Sequence, residues 1–123
     1  IQGEDSGTPG SGTGTVVNTG NAYAPVVFEV TGPIVGPATI LNETTNESIT
    51  IIGELEAGDI LEIDTRDHEV ALNGDAVGKR SLIDVLAEWT LLAPGANVFS
   101  FVDEGDATSA ASLTVYYRSA WLG

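Results

Sequence analysis

The sequence contains no cysteine and no methionine, and it has a single histidine, His68. Without cysteine the chain cannot form a disulfide framework, a thiolate zinc site or a cysteine nucleophile. One imidazole cannot supply the histidine pair of a helical zinc motif, and it leaves one candidate base for a nucleophilic triad. The composition therefore excludes several common enzyme and metal-site classes. Because a start methionine is missing, we expect the chain to be part of a longer polypeptide.

Positive charge is also scarce. Four Lys and Arg residues stand against eighteen Asp and Glu residues, so the net charge is −14. Since phosphate groups are bound by clustered Lys and Arg, we expect neither nucleic acid nor an anionic membrane as a partner. No apolar run approaches the roughly 18 residues that a membrane span requires. With 123 residues, of which 42% are hydrophobic, the chain has enough apolar material for the core of one domain.

The sequence divides into a short entry segment and a β-rich domain. Residues 1–14 are rich in Gly, Ser and Thr, which predicts a flexible linker. Residues 15–123 alternate short runs of Val, Ile, Thr and aromatic residues with turn residues, which is typical of an all-β sandwich. The predicted strands are Thr15–Asn18, Val26–Thr31, Ala38–Asn42, Ser48–Ile52, Asp59–Thr65, Glu69–Leu72, Trp89–Leu91, Asn97–Val102 and Leu113–Arg118.

Turn signals separate these strands. Asn73-Gly74 is the strongest, because a tight primed hairpin turn needs positive φ at both central residues. Gly58-Asp59 predicts a turn in which the carboxylate accepts backbone N–H groups, and Thr65–His68 predicts a second tight hairpin. Pro94-Gly95 fits the middle of a type II turn. Only Ser81–Glu88 could form a helical turn or two, with Ser81 as its N-cap.

Period-2 alternation predicts which side chains form the core. In each strand the apolar residues of one parity should be buried and the polar residues of the other parity should face water. The core residues expected on this basis are Val26, Phe28, Val30, Leu61, Ile63, Val70, Leu72, Trp89, Leu113 and Val115.

Candidate catalytic and metal-binding residues are few. His68 lies in a predicted hairpin loop, and we interpret it as a solvated turn residue. Glu62 and Asp64 share a strand face, but that face is the solvent half of a half-buried strand. The acidic segments Asp64–Asp67 and Asp103–Asp106 lack the spacing of an EF-hand loop and are interpreted as surface loops. We therefore predict no catalytic residue, no metal ion, no cofactor and no enzymatic activity.

Contact residues for a partner or a glycan are a separate possibility. The alternation of the last strand places Tyr116 on the face opposite Leu113, Val115 and Tyr117, so one of the two tyrosines should face outward, and Trp121 lies near the end of the chain. Exposed aromatic rings flanked by polar groups bind sugars, and acidic loops orient basic protein partners. The candidate contact residues are Trp121, Tyr116, Asp103 and Asp106.

Several motifs stand in a characteristic order. They are Asn18-Thr-Gly-Asn-Ala22, Ala24-Pro25-Val26, Gly32-Pro-Ile34, Ile40-Leu-Asn42, Leu55-x-x-Gly58-Asp59-x-Leu61-x-Ile63-Asp64, Val70-x-Leu72-Asn73-Gly74, Trp89-x-Leu91-x-x-Pro94-Gly95-x-Asn97 and Val115-x-Tyr117-Arg118. Over about residues 15 to 122 this series resembles the C-terminal domain of siphophage distal tail proteins, a family of siphovirus-type minor tail components.

The resemblance implies a fold, a place and a function. The fold would be a galectin-like or carbohydrate-module-like antiparallel β-sandwich of jelly-roll type. The place would be the virion tail tip of a phage or prophage, after synthesis in the bacterial cytoplasm. The function would be non-enzymatic attachment to tail tube, baseplate or receptor-binding proteins, and the full-length parent would form a homo-oligomeric ring. The alternative is a carbohydrate-binding module that engages glycans of the host surface.

Overall fold

The structure, a computed structural model, describes residues 7–9, 12–104 and 111–117. These residues form short strands and a single 3₁₀ turn. The strands are β1 Gly7–Pro9, β2 Gly12–Asn18, β3 Val26–Thr31, β4 Ala38–Asn42, β5 Glu47–Ile51, β6 Ile60–Asp64, β7 Glu69–Leu72, β8 Gly95–Asp103 and β9 Ser112–Tyr117, and the 3₁₀ turn is Lys79–Leu82. No helix in this part of the chain is long and apolar enough to cross a lipid bilayer.

The strands form two antiparallel sheets. The first sheet has the order β1-β9-β3-β6-β7 and the second has the order β2-β8-β4-β5. Buried side chains of both sheets belong to one hydrophobic cluster, so the sheets pack face to face. The predicted all-β antiparallel sandwich is therefore confirmed.

The core follows the alternation of the strands. Phe28 of β3 and Phe99 of β8 meet across the two sheets, with ring centroids 5.5 Å apart in an edge-to-face arrangement. The predicted core residues are buried with two exceptions, Leu72 and Trp89, which are half-buried and pack against the cluster. Leu72 ends the edge strand β7, and Trp89 does not lie in a strand.

The first sheet and the second both include residues of the predicted linker. Thr8 of β1 pairs with Leu113 of β9, and β2 pairs with β8 from Gly12 onward. The linker prediction over residues 1–14 is therefore wrong for residues 7–9 and 12–14. These residues carry no apolar alternation. They join the sheets through backbone pairing, which does not depend on apolar side chains. Hydropathy cannot detect such pairing.

The chain between β7 and β8, residues 73–94, is called the β7–β8 connection below. Two expectations for it are wrong, since neither the strand Trp89–Leu91 nor the helix Ser81–Glu88 forms. The 3₁₀ turn Lys79–Leu82 starts after Gly78, and the Ser81 hydroxyl donates to the Gly78 carbonyl instead of capping a helix. Beyond this turn the backbone follows the edge of β5.

The predicted Asn73-Gly74 turn is confirmed. Both residues have positive φ, 51° and 85°. The N–H groups of Leu72 and Asp75 each donate to the other residue's carbonyl, at 2.8 Å and 3.0 Å. The carboxylate of Asp59 next to this hairpin accepts the Glu56 N–H at 2.9 Å and the Asn73 side-chain amide at 3.0 Å. This carboxylate therefore joins two turns.

Truncation of Phe28 tests the face assignment. Because Phe28 is fully buried and contacts Phe99, Phe28→Ala should lower the free energy of unfolding by about 3–5 kcal/mol. Val35→Ala, at a side chain that is 55% exposed, is the matched control and should change it by no more than about 0.5 kcal/mol. Urea denaturation measures both. Equal effects of the two substitutions would contradict the packing described here.

Two hydrogen bonds lower the pKa of the Asp59 carboxyl. The bond from the Asn73 side chain has the larger effect, and the bond from the Glu56 N–H has the smaller one. The folded state thus favours the carboxylate, and this stabilisation is present at neutral pH and lost as the pH falls through the lowered pKa. Asn73→Gly keeps the positive φ and removes the amide, so it should raise the pKa of Asp59 in an NMR titration. Asn46→Gly, at an asparagine with φ 59°, is the control and should leave that pKa unchanged. An Asp59 pKa that is the same in all three proteins would show that the Asn73 amide has no such effect.

Candidate partner-binding surface

The β7–β8 connection presents the most exposed large apolar side chains of the described residues. Val77 is 82% exposed, Val85 is 85% exposed and Leu86 is 82% exposed. A single exposed apolar residue needs no explanation, but several on one segment are typical of a contact surface. The connection is therefore the first candidate for binding a partner.

Hydrogen bonds hold the backbone at these positions. The Asp75 carboxylate accepts the N–H of Val77 at 3.0 Å, and the Asp84 carboxylate accepts the N–H of Leu86 at 2.8 Å. Both are Asx turns, in which an aspartate fixes the backbone two residues further on. The apolar side chains are thus presented on a preorganised backbone, which lowers the entropy lost on binding.

The connection is anchored along the outer edge of β5. The Ile52 N–H donates to the Leu82 carbonyl at 2.9 Å, and the Asp84 N–H donates to the Thr50 carbonyl at 2.9 Å. Glu88 makes the last contact, since its N–H donates to the Ser48 carbonyl and its carboxylate accepts the Ser48 N–H. These bonds satisfy the edge of the second sheet, and between them Val85 and Leu86 project into solvent while Ala87 packs against the core.

Trp89 joins this connection to the β6–β7 hairpin. Its indole stacks on the imidazole of His68 with centroids 4.6 Å apart and an interplanar angle of 7°. The Arg80 guanidinium carbon lies 5.1 Å from the same ring centroid. His68 is exposed but is not simply a solvated turn residue, as the sequence predicted, because it covers an indole face. Trp89 is consequently a poor sugar platform.

Buried asparagines fix the loops beside the connection. Asn18 donates to the carbonyls of Ala22 and Leu92, and Asn97 donates to the Ala93 carbonyl and accepts the Ala93 N–H. Asn42 donates to the Thr90 hydroxyl and accepts backbone N–H groups of the following turn. Each amide replaces backbone pairing that the loops cannot make themselves.

The outer face of the first sheet is acidic. Glu29 lies directly opposite Glu62, and Asp64 lies directly opposite Glu69. Like charges at paired positions repel each other, so the face is poorly suited to a second acidic surface. Within the described ranges no group of three or more histidine, aspartate or glutamate side chains is placed to hold a metal ion.

The predicted contact residues do not form one site. Tyr116 lies on the outer face of the first sheet, opposite Val27, and is half-buried. Asp103 is only 1% exposed, so the prediction that it contacts a partner is wrong in this fold. Its two carboxylate oxygens accept the N–H groups of Val35, at 3.2 Å, and Gly36, at 3.0 Å. Trp121 and Asp106 lie outside the described residues.

Sequence reasoning missed Val77, Val85 and Leu86. The sequence predicts at most a helical turn or two over Ser81–Glu88 and assigns none of these three residues a contact role. The Asx turns at Asp75 and Asp84 are the one local signal for a different outcome, because aspartate two residues before an apolar residue favours a turn. From the sequence alone this pattern does not predict exposed side chains, because the contacts to β5 are not visible in it.

Residues 19–121 match the family described as the siphovirus-type tail component, C-terminal domain. The chain belongs to this family. No curated protein sequence matches it. Among solved structures it is similar to the Dit protein (gp 19.1) of phage SPP1, whose crystal structure is described as a paradigm of the hub adsorption apparatus in phages that infect Gram-positive bacteria.

The likeness to Dit has a TM-score of 0.62 at 14% sequence identity and covers 94% of this chain and 46% of that one. The chain thus spans about half the length of the Dit protein that it matches. At this identity the likeness establishes the fold, and the expected galectin-like β-sandwich is confirmed. The predicted membership of a phage tail component family is confirmed by the family match.

The carboxylate of Asp103 provides a test that separates a structural role from a contact role. Asp103→Ala leaves the N–H groups of Val35 and Gly36 without this acceptor, and it should lower the free energy of unfolding by about 1–3 kcal/mol. Glu104→Ala removes the exposed acidic neighbour and should change it by no more than about 0.5 kcal/mol. Unchanged stability of Asp103→Ala in thermal denaturation would contradict the structural role.

Proposed function

We propose that this tail component is a non-enzymatic attachment module of the tail tip that acts by protein–protein contact. The observation that supports this most is the set of apolar side chains on the β7–β8 connection. They are exposed, yet their backbone is held by Asx turns and by the edge of β5. Preorganised apolar contacts are typical of protein interfaces and have no evident role in catalysis.

The partners proposed are other tail proteins of the same phage, namely tail tube, baseplate or receptor-binding components. The full-length parent would form a homo-oligomeric ring at the tip of the virion tail, after synthesis in the bacterial cytoplasm. The likeness to Dit, a protein of a hub adsorption apparatus, supports this proposal. Nucleic acid is not proposed as a partner, because the net charge of −14 opposes phosphate binding.

Binding of individual purified tail proteins from the same phage tests the proposal. The chain is immobilised, and the affinity of each tail protein is measured by biolayer interferometry. One of them should bind, and the double substitution Val85→Ser with Leu86→Ser should weaken it by at least about tenfold, because the apolar contact is lost. Val35→Ser changes an exposed valine outside the connection and is the matched control.

Two outcomes would contradict the proposal. If none of the tail proteins binds, attachment through this domain is wrong. If Val35→Ser weakens binding as much as the double substitution does, the surface is wrongly placed. A glycan panel covers the carbohydrate-binding alternative, which would be supported by a sugar that binds the folded wild type but not a folded Tyr116→Ala variant.

A further inference from the structure

Asn73 and Gly74 form a dipeptide that is prone to a chemical modification of its own. Of the six asparagines in the chain, Asn73 is the only one that is followed by glycine. An asparagine side chain loses ammonia when the backbone nitrogen of the next residue attacks its amide carbon, and glycine has no side chain that would shield that nitrogen. Asparagine is accordingly among the thermolabile residues of proteins. The fold determines how fast the attack occurs at this position.

The nucleophile of this reaction is accessible. Gly74 is exposed, and among the described residues its N–H donates no hydrogen bond, because the two backbone bonds of the hairpin join Leu72 and Asp75. Beyond its two chain neighbours, no described atom lies within 4 Å of the point where a side chain of residue 74 would begin. Water and hydroxide therefore reach the Gly74 N–H and can remove its proton.

The amide group of Asn73, by contrast, is held at both ends. Its Oδ1 accepts the N–H of Ile60 at 2.9 Å, and its Nδ2 donates to the Asp59 carboxylate at 3.0 Å. The Asn73 N–H donates to the Ile60 carbonyl at 2.8 Å, so the backbone of this residue is anchored to the same strand. The amide is thus fixed relative to β6, and any rotation about its side-chain bonds breaks a hydrogen bond.

Asp59 opposes the reaction in two ways. Attack on Cγ of Asn73 gives a tetrahedral intermediate that carries negative charge, and a carboxylate 3.0 Å from Nδ2 repels that charge. The amide nitrogen also has to leave, which breaks the hydrogen bond that Asp59 accepts. The bonds from Asn73 and from the Glu56 N–H lower the pKa of Asp59, so this group is ionised at neutral and alkaline pH, where deamidation is fastest.

We propose that Asn73 is a deamidation site of this chain and that the Asp59 carboxylate is the group that slows the reaction. In the first step the Gly74 nitrogen loses its proton and bonds to Cγ of Asn73, while the bond from Cγ to Nδ2 breaks. The side-chain nitrogen takes up one proton and leaves as ammonia. In the second step water opens the five-membered succinimide at either carbonyl carbon, which gives aspartate or isoaspartate. Water is the one co-reactant.

The products change the start of the β7–β8 connection. Aspartate at position 73 places a second carboxylate where the Asn73 amide now bonds to Asp59, and like charges that close repel each other. Isoaspartate adds one carbon to the main chain at this position, which displaces the hydrogen bonds between Leu72 and Asp75. Either product therefore loosens the junction between the hairpin and the Gly58–Asp59 turn.

Mass spectrometry of peptides from the chain, incubated at mildly alkaline pH, measures the reaction at each asparagine. Asp59→Ala should deamidate at Asn73 at least about fivefold faster than the wild type, because the opposing charge and the hydrogen bond are lost. Asp75→Ala is the matched control, since it removes an equal charge on the other side of Gly74 and leaves the Asp59 bond in place. Its rate should stay within about twofold of the wild-type rate.

Two further comparisons keep the test decisive. Asn46 also has positive φ, 59°, but is followed by glutamate, so it is the internal reference and should react far more slowly than Asn73. Asp59→Asn keeps an acceptor oxygen and removes the charge, and it should also accelerate the reaction if Asp59→Ala does not fold. The wild-type chain unfolded in guanidinium chloride should react faster than the folded chain, because the contact with Asp59 is absent.

Three results would overturn the proposal. They are equal rates at Asn73 in the wild type and in a folded Asp59 variant, a rate in guanidinium chloride no higher than in the folded chain, and a reaction at Asn46 as fast as at Asn73. The proposal does not rest on the attachment function. Its readout is the mass of the chain alone, whereas attachment is measured by the binding of tail proteins, so the two proposals can fail independently.

Discussion

The unpaired edge of β5 is the constraint on which much of this molecule depends. A sheet edge must be paired, covered or protected, and here it is covered by a segment that is not a strand. Leu82, Asp84 and Glu88 bond to it at intervals, so the chain between these anchors must leave the sheet. The projection of Val85 and Leu86 into solvent is a direct result of this intermittent pairing.

The same segment shows why part of the structure could be predicted from sequence and part could not. The bounds of β3, β4 and β7 follow from alternation and turn residues, because both signals lie within a few neighbouring positions. The conformation of Ser81–Glu88 depends on Ser48, Thr50 and Ile52, which lie thirty to forty positions before the residues that they bond to. The local sequence of Ser81–Glu88 does not indicate these distant partners. Their hydrogen bonds override the local propensity for a helical turn.

The candidate surface divides in a similar way. That Tyr116 faces outward was predictable from parity, whereas the burial of Asp103 was not, because an aspartate at the end of a strand is usually in water. Its burial depends on the chain at Val35 and Gly36 coming close enough to donate both N–H groups. Likewise, the stacking of His68 on Trp89 joins residues of two separate loops, and neither loop alone indicates it.

The 3₁₀ turn contains the single lysine of the chain, Lys79, two residues from the exposed Val77. Amine-reactive reagents therefore have one side-chain target, and it lies within the β7–β8 connection. A fluorophore attached there would lie close in sequence to the exposed Val77 of the connection. Without any engineered cysteine, the 123-residue chain thus permits a side-chain dye to be placed at one defined point, from which binding at the connection can be followed.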